Sequence, residues 1–334
     1  MNIAIFGAGS IGCYLGGQLA YAGAAVTFIG RQRFKSEIED NGLTLTHFER
    51  EHISLTPDQF TFSLDPQDIA AADIILLTTK SQDTAKAAQS LKAYANNEAI
   101  IISFQNGVSN PSVLRDILSQ PILGAVVPFN VTGKGPGRFH CGTEGDLTVQ
   151  YMDDIRLRVM QSLFKRSGQG LTISETILAV QWGKLLVNLN NAVNTLTGGT
   201  LREGLLQRDY RRALALVVEE GLTVAQGAGI EPAAFGKADA AKMIKILRLP
   251  NFIYKIIMNK IVKIDAAARS SMLDDLEMGR VSEIDYLQGE IVRLAKETGQ
   301  PAPYNKIILD LVNDAFSKGE SPRLSGTEIY SRLK

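Results

Sequence analysis

Asn2-Ile3-Ala4-Ile5-Phe6-Gly7-Ala8-Gly9-Ser10-Ile11-Gly12 decides the fold: an apolar strand runs directly into a glycine-rich turn and then into an alanine- and leucine-rich helix. That order suggests a dinucleotide site. Gly7 allows the tight turn, Gly9 lets the backbone approach a pyrophosphate, and Gly12 lets the helix pack close to the strand. The phosphates would sit against Ser10 and Ile11 at the helix N-terminus, where unpaired N–H groups and the positive end of the dipole point outward. Glycine-rich turns also arise for packing reasons alone, and the strand-to-helix context is what favours a nucleotide. Gly16-Gly17 extends the close-packing face.

A second strand, Ala25-Val26-Thr27-Phe28-Ile29, ends in Gly30-Arg31-Gln32-Arg33. An NAD-binding unit usually places an acid about there for the ribose 2′-hydroxyl. No acid is present. Arg31 and Arg33 can instead neutralise a 2′-phosphate, which reads as a preference for NADP. The alternative is two solvated arginines on a loop. Arg31, closer to the strand end, is the better candidate.

At 334 residues the chain exceeds the size at which single cores stop growing, so two domains are expected, with a boundary at 174/175. Lys plus Arg equals Asp plus Glu at 35 each, so no net field draws the protein to nucleic acid or an anionic membrane. Cys13 and Cys141 form neither a CxxC pair nor a disulfide framework, and they suit a reducing cytoplasm. No metal-ligand spacing is seen. No apolar run approaches the roughly 20 residues that span a bilayer, and no targeting segment precedes the first strand.

Further apolar runs at 73–78, 99–103 and 122–127 read as strands covered on both faces, alternating with helical patterns as in a doubly wound parallel sheet. Lys80 follows one run and Gln105-Asn106-Gly107 another, at the strand edge where such sheets bind ligands. A surface lysine and an Asn-Gly turn would explain them too. From about Tyr151 the period turns helical, with long helices expected at 177–196, 209–227, 283–298 and 304–317. The glycines of Gly227-Ala228-Gly229 and of Gly299-Gln300-Pro301 read as helix stops. The apolar, lysine-dotted segment 249–264 suits a helix packed on its own domain or on a second copy, giving a homodimer through the helical domain, better than an interfacial membrane helix.

Within the helix from Ile177, Lys184, Asn188, Asn191 and Thr195 fall on one stripe, facing either solvent or a polar cleft. Asparagine is an indifferent helix former, which favours the cleft. There a lysine could protonate a carbonyl oxygen as hydride arrives and stabilise the developing charge. A second cluster runs Ser270-Ser271-Met272-Leu273-Asp274-Asp275-Leu276, then Arg280-Val281-Ser282-Glu283-Ile284-Asp285. Ser282 reads as an N-cap, and taken alone Glu283 and Asp285 are acids in a first helical turn.

Four motifs in this order, Gly7-Ala8-Gly9-Ser10-Ile11-Gly12, Gln105-Asn106-Gly107, Trp182-Gly183-Lys184-Leu185-Leu186-Val187-Asn188 and Ser270-Ser271-Met272 with Ser282-Glu283-Ile284-Asp285, resemble the ketopantoate reductases (2-dehydropantoate 2-reductases) over nearly the whole chain. The resemblance implies an N-terminal Rossmann domain (1–174), a helical C-terminal domain (175–334) and an active site in the cleft between them. It implies NADPH-dependent reduction of 2-dehydropantoate to pantoate, for pantothenate and coenzyme A synthesis, with Lys184 as general acid and Glu283 as the carboxylate that contacts a substrate hydroxyl and orders the site. By the same resemblance Asn106 lies near nicotinamide and substrate, Lys80 on the cofactor side and Arg31 at the 2′-phosphate. Asn188 and Ser271 meet the substrate's polar ends.

Two departures bear on substrate choice. Many members carry an asparagine eight residues after the lysine, where this chain has Ala192, leaving Asn191 and Asn194 as alternatives for the second substrate asparagine. Asp83 stands where a glutamine can follow the Lys80 motif, and the 236–265 segment is longer than in compact members. A related NADP-dependent 2-keto or 3-hydroxy acid dehydrogenase shares the lysine with asparagine four residues later. A non-catalytic NADP-sensing protein is the third reading, and the intact Lys184 and Glu283 argue against it.

Overall fold

A strand covered on both faces must be apolar at every position, and the first half of the chain carries such runs because helices cover both sides of its sheet. The structure, a computed structural model, describes residues 1–236, 239–261 and 268–334. The chain divides into two compact units, Met1–Ile177 and Leu178–Lys334.

The strands of the first unit are β1 (Asn2–Phe6), β2 (Ala25–Ile29), β3 (Leu43–His47), β4 (Ile53–Leu55), β5 (Thr61–Ser63), β6 (Ile74–Leu77), β7 (Ile100–Ser103), β8 (Ile122–Val126), β9 (Val131–Gly133), β10 (Arg138–Cys141), β11 (Leu147–Gln150) and β12 (Leu171–Ser174). The large sheet has the order β12-β11-β8-β7-β6-β1-β2-β5. It is parallel from β5 to β8, and β11 and β12 continue it in the opposite direction. The order reverses at β1, between β2 and β6, which is the switch point where open α/β sheets receive ligands. Ile3 and Ile5 of β1, with Ile74 and Leu76 of β6, join one core, and Ala4, Phe6, Ile75 and Leu77 join the other.

Among the first unit's helices, α1 (Ser10–Tyr21), α2 (Gln32–Asn41) and α5 (Ile155–Arg166) contribute buried residues to the first core, and α3 (Thr84–Tyr94) and α4 (Asn110–Arg115) to the second. A smaller sheet, β4-β3-β10-β9, lies over α1. Helix α1 is thus enclosed, which explains why Gly12 through Ala20 are all buried and why its sequence is uncharged. The glycine pair follows from the same enclosure. A Cβ on Gly16 would collide with the Phe28 ring and lie 2.7 Å from Ile5 Cγ1, and one on Gly17 would lie 2.8 Å from Leu43 Cδ2.

The second unit holds only helices among its described elements: α6 (Ile177–Asn188), which begins at the unit boundary, α7 (Asn190–Thr197), α8 (Leu201–Leu206), α9 (Arg208–Gly227), α10 (Ala240–Leu247), α11 (Asn251–Ile261), α12 (Ser271–Glu277), α13 (Gln288–Thr298), α14 (Pro303–Lys318) and α15 (Gly326–Arg332). Fully buried Arg211 on α9 donates to the carbonyls of Leu205 (3.0 Å), Leu247 (3.2 Å) and Leu249 (3.1 Å) and to Asn251 Oδ1 (2.8 Å). Its charge is balanced by helix-end carbonyls, the negative poles of α8 and α10. Both expected helix stops form. Gly229 (φ +75°) and Gly299 (φ +69°) take the left-handed conformation, and Ile230 N and Gln300 N return to Ala225 O and Ala295 O.

Three sequence expectations are corrected. The helix expected at 177–196 is interrupted at Leu189, and the one expected from Glu283 starts only at Gln288, after a separate 3₁₀ turn at Ile284–Tyr286. The pattern after Tyr151 is not wholly helical, because the 171–174 strand joins the edge of the sheet. In 249–264, Tyr254 is buried and Phe252 and Ile256 are exposed, while 262–264 lie outside the described residues, as do 237, 238 and 262–265 of the 236–265 segment. Among the described residues no helix is long and apolar enough to cross a membrane.

Because Gly16 sits against both β1 and β2 side chains, Gly16→Ala is expected to lower unfolding stability by about 1–3 kcal/mol, the range for overpacked cores. Urea denaturation reads this out, and an unchanged midpoint would refute the close contact.

Candidate functional site

The glycine-rich turn has the shape expected of an anion cradle. Gly7 takes φ +110°, and a Cβ there would lie 2.6 Å from Thr79 N. A Cβ on Gly12 would strike the Gly7 carbonyl and lie 2.6 Å from Thr78 Oγ1, which itself donates to Gly7 O at 2.8 Å. Gly9 differs: a Cβ there would meet nothing within 4 Å, so the backbone is open on that side. The first helical bond of the turn runs from Cys13 N to Gly9 O (2.8 Å), leaving the amides of Ser10, Ile11 and Gly12 ahead of it, and no acid occupies the first turn. An anionic diphosphate fits this cradle.

At the end of β2 the two arginines separate. Arg33 pairs with Glu37 one helical turn on (2.7 Å). Arg31, the N-cap of α2, is exposed and, among the described residues, has no ion pair or side-chain hydrogen bond. Of the two guanidinium groups here, only that of Arg31 is uncommitted among the described residues.

Lys80 and Asn106 follow β6 and β7, both partly exposed. Behind them lies a layer of buried polar side chains. Gln105 Nε2 donates to Thr84 Oγ1 (2.8 Å) and Thr79 O (3.2 Å), and Gln105 Oε1 accepts from Ser103 Oγ (2.9 Å). The Asn106 carbonyl accepts from Ser81 Oγ (2.8 Å) and Asn110 Nδ2 (2.6 Å). Sequence reading quoted Gln105 only as part of Gln105-Asn106-Gly107 and assigned no role to Ser81, Thr84 or Asn110. The visible signal for Ser81 and Gln105 was polarity soon after apolar strands; Thr84 and Asn110 lie seven residues past them.

In the second unit, Lys184 lies on α6 beside a close helix–loop contact. A Cβ on Gly183 would strike the Ala233 carbonyl, and Ala233 N donates to Ala179 O (2.9 Å). Burial pulls the Lys184 ammonium down to about 8, and the nearby Glu283 carboxylate works against that shift. Glu283 is partly buried at the start of the 3₁₀ turn, whereas Asp285 is exposed. The approach to Glu283 is fixed from α12, where Asp275 accepts from Arg280 Nη1 (3.3 Å) and the Asp275 carbonyl accepts from Arg280 N (2.8 Å). Ser282 Oγ accepts from Ile284 N at 3.1 Å.

The asparagines divide into two kinds. Asn194 is fully buried, with Oδ1 accepting from Ser270 N (3.0 Å) and Nδ2 donating to Gly199 O (3.0 Å). Both ends of its amide hold backbone. Asn188 and Asn191 are partly exposed, and among the described residues neither side chain has a hydrogen-bond partner. Ala192 is fully buried. Ser270, also buried, caps α12 and donates to Asn191 O (3.2 Å), while its neighbour Ser271 is exposed. Thr195 departs from the expected stripe: it is buried and donates back to Asn191 O (2.9 Å). The one-residue break at Leu189 does not carry the polar face that far.

Residues 3–154 match the sequence profile described as ketopantoate reductase PanE/ApbA, and residues 176–315 match that of its C-terminal region. The chain belongs to the ketopantoate reductase family. It is similar to a 2-dehydropantoate 2-reductase of Pyrococcus horikoshii, at 29% identity over 96% of this chain and 99% of that protein. A crystal structure of a PanE/ApbA family ketopantoate reductase from Ralstonia eutropha has 30% identity and a TM-score of 0.82, over 96% and 99% of the two chains. A D-mandelate dehydrogenase solved with NADH and anilino(oxo)acetate shares the fold at 22% identity, with a TM-score of 0.79 over 96% and 99%. The family is one of oxidoreductases, and the shared fold extends to an enzyme of another name.

Removing the Asn194 amide leaves the buried Ser270 N–H and the partly buried Gly199 carbonyl without that partner. Asn194→Ala is therefore expected to lower stability by about 1–3 kcal/mol, and Asn191→Ala to lower it by much less. Thermal and urea unfolding of the pair check this, and equal losses would contradict the division.

Proposed function

We propose that the protein reduces 2-dehydropantoate to pantoate with NADPH. The observation that carries this reading is Lys184, an amine lowered by burial and faced by Glu283 in a chain of the ketopantoate reductase family. Supporting it are the open Gly9 cradle for a diphosphate and the uncommitted Arg31 for a 2′-phosphate.

In this mechanism the bound dinucleotide supplies a hydride equivalent. The chain's own residues do the rest. The Gly7–Gly12 turn with Ser10 and Ile11 binds the diphosphate, Arg31 neutralises the 2′-phosphate, and Lys80 and Asn106 orient the reacting end. Lys184 holds its proton toward the substrate's C2 carbonyl oxygen, stabilises the charge developing there and then donates that proton. An ammonium lowered to about 8 releases a proton more readily than an ordinary lysine while staying charged at neutral pH. Glu283 keeps it charged and accepts from a substrate hydroxyl. Asn188, Asn191 and Ser271, whose side chains are not taken up by the fold, bind the polar ends of the acid. Asn191, rather than Asn194, is the second substrate asparagine.

Following NADPH absorbance with 2-dehydropantoate beside a panel of 2-keto acids tests the reading, and turnover of another keto acid alone would move the function to a relative. Lys184→Ala is expected to lower kcat by at least about 100-fold with NADPH affinity near normal, within the usual span of general acid catalysis. The reduction needs the ammonium, so kcat/KM should be level below about pH 8 and fall above it, with Glu283→Gln moving the break to lower pH. A profile level through pH 10 would sink the proton-donor role. The same lowered group disfavours folding while the lysine is charged in the native state, and this penalty disappears as pH rises from about 8 through the unfolded value of 10.5.

Arg31→Ala is expected to weaken NADPH about 10- to 100-fold and NADH little, as read by fluorescence titration, since a charge-assisted phosphate contact is lost. Equal losses for both would count against phosphate recognition.

A further inference from the structure

Lys80 and Asn106 stand on loops that leave different strands, yet side chains bind these loops together from behind. Gln105 reaches Thr79 O and Thr84 Oγ1 on the β6 side, and Asn110 and Ser81 converge on one atom, the carbonyl oxygen of Asn106. Asn110 Oδ1 lies 2.8 Å from Thr84 Oγ1, which closes the ring of contacts. Ser81, Thr84, Ser103, Gln105 and Asn110 are all buried.

Two donors on one carbonyl fix the plane of the peptide that follows Asn106. Gly107, at φ +85°, then turns the chain away. With the backbone fixed on that side, the Cα–Cβ direction of Asn106 is set before any ligand arrives. An apolar layer could hold a strand edge without desolvating five polar side chains, so orientation is the gain that such a network offers.

We infer that Asn110 and Ser81 are positioning residues of the reaction, acting through Asn106, with Gln105 locking the Lys80 loop to the same frame. The inference rests on the proposed role of Asn106 at the reacting end of cofactor and substrate. It adds a buried amide and a hydroxyl whose contribution is the direction of another side chain.

The test is a double-mutant cycle on kcat. Asn110→Asp keeps shape and volume but puts an acceptor where the donor to the Asn106 carbonyl stood. It is expected to lower kcat about tenfold or more, with the NADPH dissociation constant within about threefold of wild type. Combined with Asn106→Ala, it should lower kcat no further than Asn106→Ala alone, because the residue it acts through is gone. Ser81→Ala, which removes the other donor, should follow the same pattern with a smaller loss, and it carries the test if Asn110→Asp does not fold. Losses that multiply in the double variants would overturn the inference and leave a structural role only. Wild-type kcat in Asn106→Ala itself would instead remove the reading of Asn106 on which the inference stands.

Discussion

The close approach of the first helix to the first strand is the constraint on which the first unit depends. Gly12 admits the Gly7 carbonyl and the Thr78 hydroxyl, and Gly16 admits Ile5 and Phe28, so one face of α1 carries no side chain beyond hydrogen. That intimacy places the α1 N-terminus directly above the end of β1, beside the reversal of strand order. The small sheet seals the opposite side of α1, where Gly17 meets Leu43 and Leu45. Gly7 and Gly12, which pack the turn, therefore also aim its amides, whereas Gly9 has no packing contact and lines only the open side.

The second unit works by contrast between committed and uncommitted polar groups. Asn194, Ser270 and Thr195 are buried and bonded to backbone, holding α7, α12 and the Gly199 turn together. Asn188, Asn191 and Ser271 neighbour them in sequence, yet their side chains have no hydrogen-bond partner among the described residues. A polar side chain that a helix carries without internal use is available to a ligand. Lys184 fits neither class, since its burial disfavours its charge while Glu283 supports it, and that balance is what brings its proton affinity near neutrality.

Much of this was legible in the sequence because it rests on short-range patterns. The β1 turn, the continuous apolar strands and the helix stops at Gly229 and Gly299 follow from glycine conformations and from two-sided burial. What was illegible depends on contacts distant in sequence. The small sheet pairs β3 with β10, strands about 90 residues apart, and neither shows a strong apolar run. The break before Gln288 leaves no proline or glycine signature at Leu287, which takes φ −119°, ψ −92° there. Within the site, Ser270 and Ser271 look equivalent as letters, and only the cap on α12 tells them apart. Arg31 and Arg33 likewise separate only once the helix brings Glu37 to Arg33.

Fold and specificity are therefore carried by different residues. The sheet, the enclosed α1 and the Gly183 contact would serve any dinucleotide-dependent reductase of this architecture, which is consistent with a D-mandelate dehydrogenase having the same fold at 22% identity. Under the proposed reduction, discrimination between acids lies in Asn188, Asn191 and Ser271, whose side chains have no hydrogen-bond partner among the described residues. Ala192 is enclosed and apolar, so an asparagine eight residues beyond the lysine would meet core in this chain. Asn191, one residue earlier and partly exposed, is the position at which an amide stays outside that core. A one-residue shift of a polar group around a helix moves it by about 100°, which separates the partly exposed Asn191 from the enclosed Ala192 in this chain.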